Sequence, residues 1–548
     1  MAEQKRRLDG AQLTVDGRPL APETYQRLVL VRVEESVQLP DYFAIHFDDP
    51  HFDLFDKGTF AIGSRIEIAF RAEGDPVVVT AGEITAISVE PGVSGRHELV
   101  LTGFDLTHRL ARVPKSRSFQ RVTDADIASR IAGEYGLDAD VDATGGTHDY
   151  VLQAGETDYA FLRRRGARIG YDVWISEKTF HFKKAPRSTA NPPKLTYGQN
   201  LAKFATRFSA AERSDEVEIR GWDQLGKEAI TGRADRTDPG TDAPAAQEMT
   251  DAARRAFGRV KRNAGQFPVT DQAEADALAG SLLLRASGEE VVLRGEAMGD
   301  PLIGAGAKVH IEGIGSRMTG DYRVTQVEHS YGANQPYLTR FVCGGKEPAG
   351  LADLTTGKAP EKSGWSGLVV GIVTNNDDPE KLGRVRVKFP TLSQDDESAW
   401  SRIATPGGGK QRGLQWIPEV DDEVLVGFEL DDTTRPVILG GLWNRKDTPP
   451  DPGAIAKGSV NQRMLVSRKD SRLVFDDDKL EIDLLLGGTP CALKLEKSES
   501  SLTGDQKLVL TATQIEIKAT SKLTLSGAQV EITASGPLTA SGKPIKLN

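Results

Sequence analysis

"LVLTATQIEIKATSKLTLSGAQVEITASGPLTASGKPIKLN", from Leu508 to Asn548, keeps a regular beat. Leu508/Leu510, Ile515/Ile517, Leu523/Leu525, Val530/Ile532, Leu538/Ala540 and Ile545/Leu547 are six apolar–polar–apolar units. Their starts lie 7, 8, 7, 8 and 7 residues apart. Residues two apart on a strand share a face, so each unit offers a pair of apolar side chains to one side. A strand of two or three residues is not stable alone. Stacked on copies of itself it buries a continuous core. One coil of a single-chain β-helix takes on the order of 18 residues or more. A beat of 7 or 8 therefore fits one side of a triangular prism whose coils are shared by three chains. A plain β-meander of the same spacing needs no such regularity. The expected needle core is Leu508, Leu510, Ile515, Ile517, Leu523, Leu525, Val530 and Ile532. Leu473/Phe475 and Leu480/Ile482 show the same unit upstream, and Leu493/Leu495 and Ser501-Leu502 continue it.

The rest of the chain sets bounds on this reading. At 548 residues it holds several domains. Its 56 glycines favour turns and β structure. A net charge of -10 argues against sequence-independent nucleic-acid binding, which needs a basic surface. No apolar run reaches membrane-spanning length, and the charged N-terminus is followed by no apolar stretch, so neither stable membrane insertion nor a secretory signal is expected. Cys343 and Cys491 lie far apart and read as two buried thiols.

Residues 1–348 alternate strand-like runs such as "LVLVRVEES" (from Leu28) with helical grammar. In "TDADIASRIAGEYG", Thr123 caps a helix with Asp126 reaching back, Ile127, Ile131 and Tyr135 share a face, and Gly136 ends it. "TDYAFLRRRGARIG" and "TDQAEADALAGSLLLRASG" repeat the pattern. The stretch from Arg233 to Gln247 reads as a loop. Residues 349–365 read as a linker. Residues 366–445 carry five apolar-alternating segments and no long helix, which suggests an OB-type barrel. A second linker is expected over 446–470, and the needle over 471–548.

The barrel segment resembles the spike proteins of contractile injection machines, the valine-glycine repeat protein G (VgrG) family and the central spikes of contractile phage tails. The residues that carry the resemblance are "GRVRVKFP" (Gly383 to Pro390), "WSRIA" (Trp400 to Ala404), "IPEV" (Ile417 to Val420), "DEVLVGF" (Asp422 to Phe428) and "DTTRPVILG" (Asp432 to Gly440). "GFDLTHRLARVP", "YAFLRRRGARIGYDVWI", "IRGWD" and "VEHSYG" look like the hub of that family. The resemblance implies a homotrimer: a hub of tube-protein-like β-barrels with helical insertions, seated on an inner tube protein and baseplate proteins, then an OB-fold collar and a trimeric intertwined β-helix. A PAAR-like tip protein is expected on Ile545 and Leu547. The implied fold class is mainly β with an α+β hub. The implied role is a structural spike and baseplate hub, joining a sixfold tube to a threefold envelope-piercing needle. It is assembled in the cytoplasm as part of a phage-tail-like particle or a type VI secretion-like machine.

The residues themselves suggest no chemistry. None of the eight histidines has a metalloprotease spacing, and none lies beyond His329. "GGGK" at Gly407 lacks the rest of a phosphate loop, "DDDKLEID" lacks the glycine and distal glutamate of a calcium loop, and Arg163-Arg164-Arg165 reads as a solvated helix face. No catalytic residue, metal or cofactor is expected, and the stretches after Asn444 leave no room for an enzyme domain. The alternative is a peptidoglycan hydrolase or peptidase with its site in the N-terminal region, recognisable only by converging carboxylates or a nucleophile–base pair. An OB-fold glycan or nucleic-acid binder would need exposed aromatics, whereas Trp400, Trp416 and Trp443 fall in apolar strand patterns and read as core.

Overall fold

In the computed structural model the described residues are 10–546, apart from 73, 93–94, 186–190, 212, 225, 236–240, 265–266, 270, 334, 346–366, 392–395, 488–491 and 497. The expected linker 349–365, Leu547 and Cys491 lie outside them. The chain divides into two compact units, Met1–Leu442 and Trp443–Asn548.

The first unit is organised by one 13-stranded sheet. Strands Leu28–Ser36, Tyr42–Asp48, His97–Asp105, Val77–Pro91, Arg65–Phe70 and Ala11–Val15 follow one another in it, and Leu201–Phe208, Val291–Met298, Gln335–Cys343 and Gly320–Gly332 form the other half. The halves join where Gly320–Gly332 runs antiparallel to Leu28–Ser36, with His329 opposite Val33. Each half buries its own apolar cluster. Val31, Phe43, Ile45, Phe47, Ile68 and Phe70 fill the first, and Leu293, Val309, Ile311, Tyr322 and Phe341 the second, with the free thiol of Cys343 buried among them.

Two α/β insertions interrupt the sheet. In the first, helices Asp124–Glu134 and Asp158–Ile169 pack on two small sheets around Phe119, Ile127, Ile131, Phe161, Phe180 and Phe182. The Thr123 capping box forms as its sequence predicts, and Gly136 follows with φ +66°. Thr157 caps the second helix and Gly170 closes it at φ +74°, a left-handed conformation that suits glycine. One expectation is corrected here. The arginines of this helix are not a solvated face, because Arg165 is buried and pairs with buried Asp124 at 2.6 Å. In the second insertion, the stretch from Arg233 to Gln247 read as a loop begins inside the strand Glu228–Asp235 and ends inside the helix Pro244–Phe257.

The barrel closes the first unit. Its five-stranded sheet runs Arg386–Lys388, Leu368–Asn375, Glu423–Phe428, Pro436–Gly441, Arg402–Ile403. Val373, Val385, Val387, Phe389, Val424, Val426 and Ile438 form its core. A buried carboxylate organises the loop before "RVRV". Asp378 accepts from Arg384 at 2.7 and 3.0 Å and from the amides of Glu380 and Leu382. The Arg384 guanidinium holds this carboxyl well below the usual range. Side chains also bind the barrel to the insertions. Ser118 donates through its amide and hydroxyl to Asp396, at 3.0 and 2.6 Å. Arg435 donates to the carbonyls of Val269 and Trp222, at 3.3 and 3.1 Å. Trp416 departs from its expected place in the core. It is more than half exposed, in a run without strand between Thr405 and Asp422.

In the second unit, strands Gln462–Val466, Arg472–Asp476, Glu481–Leu485, Ala492–Leu495 and Ser500–Thr503 form an antiparallel meander in that order. This corrects two expectations. The segment 446–470 is not all linker, because the alternation of "QRMLV" after its Pro- and Gly-rich start makes a strand. The units at Leu473/Phe475, Ile482 and Leu493/Leu495 pair within one chain instead of requiring others. Trp443 is also exposed, contrary to its core reading.

The Asp124–Arg165 pair generates a pH prediction. Burial pushes the Asp124 carboxyl up, but hydrogen bonds from His148 and Arg165 outweigh it and bring the pKa to about 2. The folded value lies below an unfolded value near 4, so its stabilisation, roughly 2 kcal/mol, is complete above about pH 4 and lost as pH falls towards 2. Asp124→Asn leaves Arg165 buried without its counter-charge and should cost about 3 kcal/mol at pH 7. Thermal melts of both proteins should converge as pH falls from 4 to 2. Curves that stay parallel through that range would contradict the assignment.

Candidate assembly surface

The meander of the second unit has two chemically different faces. Its register places Leu465 opposite Leu473, Leu473 opposite Leu484, Leu484 opposite Leu493 and Leu493 opposite Leu502. Phe475, Ile482 and Leu495 form a second row on the same face. Directly opposed residues of an antiparallel pair point to the same side, so eight apolar side chains line one surface. Seven of them, all but Leu473, are exposed. The other face carries Lys494 with Glu481, Asp483 and Glu496 within 4 Å, and it is half-buried. An apolar face left to water beside a covered charged face reverses the usual arrangement.

The apolar pairs continue beyond it. Leu508, Leu510, Ile515, Ile517, Leu523, Leu525, Val530 and Ile532 are 52–65% exposed in the single chain. No strand is formed among the described residues after Thr503. These side chains are thus not gathered into a core by one chain. Ile545, expected at the tip, is 53% exposed. Its companion Leu547 lies outside the described residues.

Titratable groups elsewhere serve mainly as fasteners. His46 pairs with Glu98 and His108 with Glu83, each at 2.9 Å, and His310 pairs with Asp321 at 2.7 Å. Burial drives His329 down to about 4, so it is neutral, with Ile303 O 3.1 Å from its Nε2. Among the described residues no three His, Cys, Asp or Glu side chains are gathered as a metal set. One arrangement has no counterpart in the sequence motifs. Ser176 Oγ lies 2.7 Å from His181 Nε2, and His181 Nδ1 lies 2.9 Å from Asp140 Oδ2. Asp140 and His181 are 41 residues apart in the chain, and only the register of a parallel strand pair brings them together.

Ile517 tests the assembly reading cleanly. It is exposed in one chain, so Ile517→Asp costs a monomer almost nothing. In a core shared between copies it buries a charge per chain at one level, at several kcal/mol each. The variant should fail to assemble or should melt at a much lower temperature by calorimetry, while Ser521→Asp, in the bend between units, should behave as the parent. An unchanged melt for Ile517→Asp would show that this register does not face a core.

Comparison with known proteins agrees with the architecture. The family model of the type VI secretion system/phage-baseplate injector OB domain matches residues 369–443. The model of the Alg8 N-terminal domain matches residues 12–332, more than half of the chain. The chain is 23% identical over 368 residues to the type VI secretion system spike protein VgrG1b of Pseudomonas aeruginosa, covering 62% of this chain and 48% of that protein. It is 25% identical over 369 residues to VgrG1c of the same organism, covering 62% and 49%. The chain thus spans about half the length of the curated relatives it matches. Among solved structures, the half-lidded Francisella PdpA–VgrG complex shares the fold, with a TM-score of 0.51 at 9% identity over 90% of this chain and 88% of that one. With these matches in both its large sheet and its barrel, the chain belongs to the family of the Alg8 N-terminal domain and is similar to VgrG-type spike proteins.

Proposed function

We propose that this protein is the structural spike and baseplate hub of a contractile, phage-tail-like injection machine. Three copies share one needle, and the large sheets of the hub seat the spike on an inner tube. Residues here bear and transmit force, and the role itself requires no bond chemistry. The observation that carries this reading is the uncovered apolar face of the second unit, continued by the apolar pairs from Leu508 to Ile532. Burying the seven exposed apolar side chains on that face is worth on the order of 10 kcal/mol per chain, comparable with the cost of association, about 4–15 kcal/mol. The shared pairs beyond Leu508 add to this and favour the oligomer. Assembly belongs in the cytoplasm, with the finished particle released or fired from there.

A small PAAR-like protein is the proposed occupant of the tip, where Ile545 offers an apolar side chain once per copy. Light scattering of the full-length protein should give three times the 59.3 kDa chain mass. A stable folded monomer at micromolar concentration would overturn the threefold reading. Truncation after Gly536 should abolish binding of a PAAR-like tip protein, with the oligomer intact. Equal binding by the truncated protein would place that contact elsewhere.

A further inference from the structure

The first insertion carries a nucleophile arrangement that the spike role does not use. Strands Tyr171–Ser176 and Thr179–Lys184 form an antiparallel hairpin, and Asp138–Val141 lies parallel to the second of them. Alternation along the hairpin sends Val173, Ile175, Phe180 and Phe182 into the core, and Trp174, Ser176 and His181 to the outer face. The register sets His181 opposite Asp140 on one side and opposite Trp174 on the other. Three strands therefore deliver a hydroxyl, an imidazole and a carboxylate in a row.

The geometry of that row is directional. Asp140 uses its two oxygens separately, with Oδ1 2.6 Å from Lys183 Nζ and Oδ2 2.9 Å from His181 Nδ1. Lys183 foremost, then His181, holds the Asp140 carboxyl below its ordinary range, so it stays ionised and accepts. An ionised acceptor at Nδ1 selects the tautomer with the proton there and leaves the Nε2 lone pair facing the Ser176 hydroxyl at 2.7 Å. The Trp174 ring stacks on the imidazole at 4.6 Å and 14°, which restrains its rotation. The His181 side chain is largely covered, at 14% exposed, while Ser176 is exposed at the strand end beside the two-residue turn Glu177–Lys178. A nucleophile reaching the base and a base reaching an orienting carboxylate are two of the geometric requirements of acyl transfer to serine.

We propose that Ser176 and His181, positioned by Asp140, form an acyl-transfer site that hydrolyses accessible esters with short acyl groups. Ser176 Oγ attacks the ester carbonyl carbon, and its proton passes to His181 Nε2. The carbon–oxygen bond to the leaving alcohol breaks, and the alcohol departs with that proton. Water then attacks the acyl-serine, with His181 again receiving and returning a proton, and releases the acid and free Ser176. Water is the only co-reactant, and no redox change occurs. The open strand end admits an ester carried on an extended polymer or a small molecule; a long acyl chain would need an apolar slot beside the serine. This activity is independent of the spike reading, since it needs only the first insertion to be folded.

The test uses the full-length protein with two probes, a fluorophosphonate and p-nitrophenyl acetate. Phosphonylation forms a Ser176 Oγ–P bond with loss of fluoride and the hydroxyl proton. Mass spectrometry of the tryptic peptide containing Ser176 should show that adduct, and the ester should release a burst of p-nitrophenol equal to the protein present. Ser176→Ala should lose both signals, and its melting temperature should match the parent because the side chain is exposed. His181→Ala should slow labelling about 100-fold. Asp140→Asn should lower kcat with little change in KM, and Asp140→Glu should restore part of it, which a merely structural role would not do. An unmodified Ser176 peptide in the folded parent protein, or equal labelling rates in the parent and His181→Ala, would overturn the proposal.

Discussion

An apolar strand that its own chain leaves uncovered is the constraint on which the rest of this molecule depends. The face built from Leu465, Leu473, Leu484, Leu493 and Leu502 is complete in register but open to water. The described units from Leu508 onward go further, since among them one chain forms no strand and gathers no core. A backbone amide and carbonyl with no partner cost as much as the lost hydrogen bond once they are buried. Both needs are met together when copies of the same segment wrap each other, because each copy supplies the edge and the apolar pair that the next one lacks. The seven-to-eight-residue beat is the sequence form of that bargain.

The first unit solves a different problem, that of holding several modules together. Between its several apolar clusters it places buried ion pairs and long-range hydrogen bonds. Asp378 gathers a loop through Arg384 and backbone amides, and Arg165 ties a helix to Asp124 across the first insertion. Arg435 and Asp396 fasten the barrel to both insertions. Such contacts are directional and costly to break singly, because each broken pair leaves a charge without compensation. They specify one relative placement, which plain apolar contact does less well. That property suits a proposed hub that transmits axial force.

Local features of this fold were legible in the sequence. The Thr123 box, the Gly136 stop and the barrel strands follow from capping chemistry and period-2 alternation, which act over a few residues. The features that escaped depend on contacts between distant segments or on where a strand does or does not form. Arg165 looked like one of three surface arginines, and only its meeting with Asp124, 41 residues away, makes it a buried anchor. Trp416 sits in an apolar pattern, yet the run around it forms no strand, so its ring stays outside. The strand Gln462–Val466 was hidden by the Pro- and Gly-rich segment before it. Ser176, His181 and Asp140 follow no motif spacing, because a parallel pair and a hairpin bring them together. For the assembly surface, the identity of the apolar residues was legible and their partner within the chain was not, since upstream units pair intramolecularly while those after Leu508 do not.

Hydrogen–deuterium exchange of the amides between residues 508 and 546, read on the full-length protein, tests the central claim most directly. One chain forms no strand among these described residues, so slow exchange there requires bonds supplied by other copies. Protection across the whole segment, lost in step with dissociation of the oligomer on dilution or mild denaturation, is the predicted result. Exchange at the rate of an unstructured peptide while the protein is fully assembled would contradict the account.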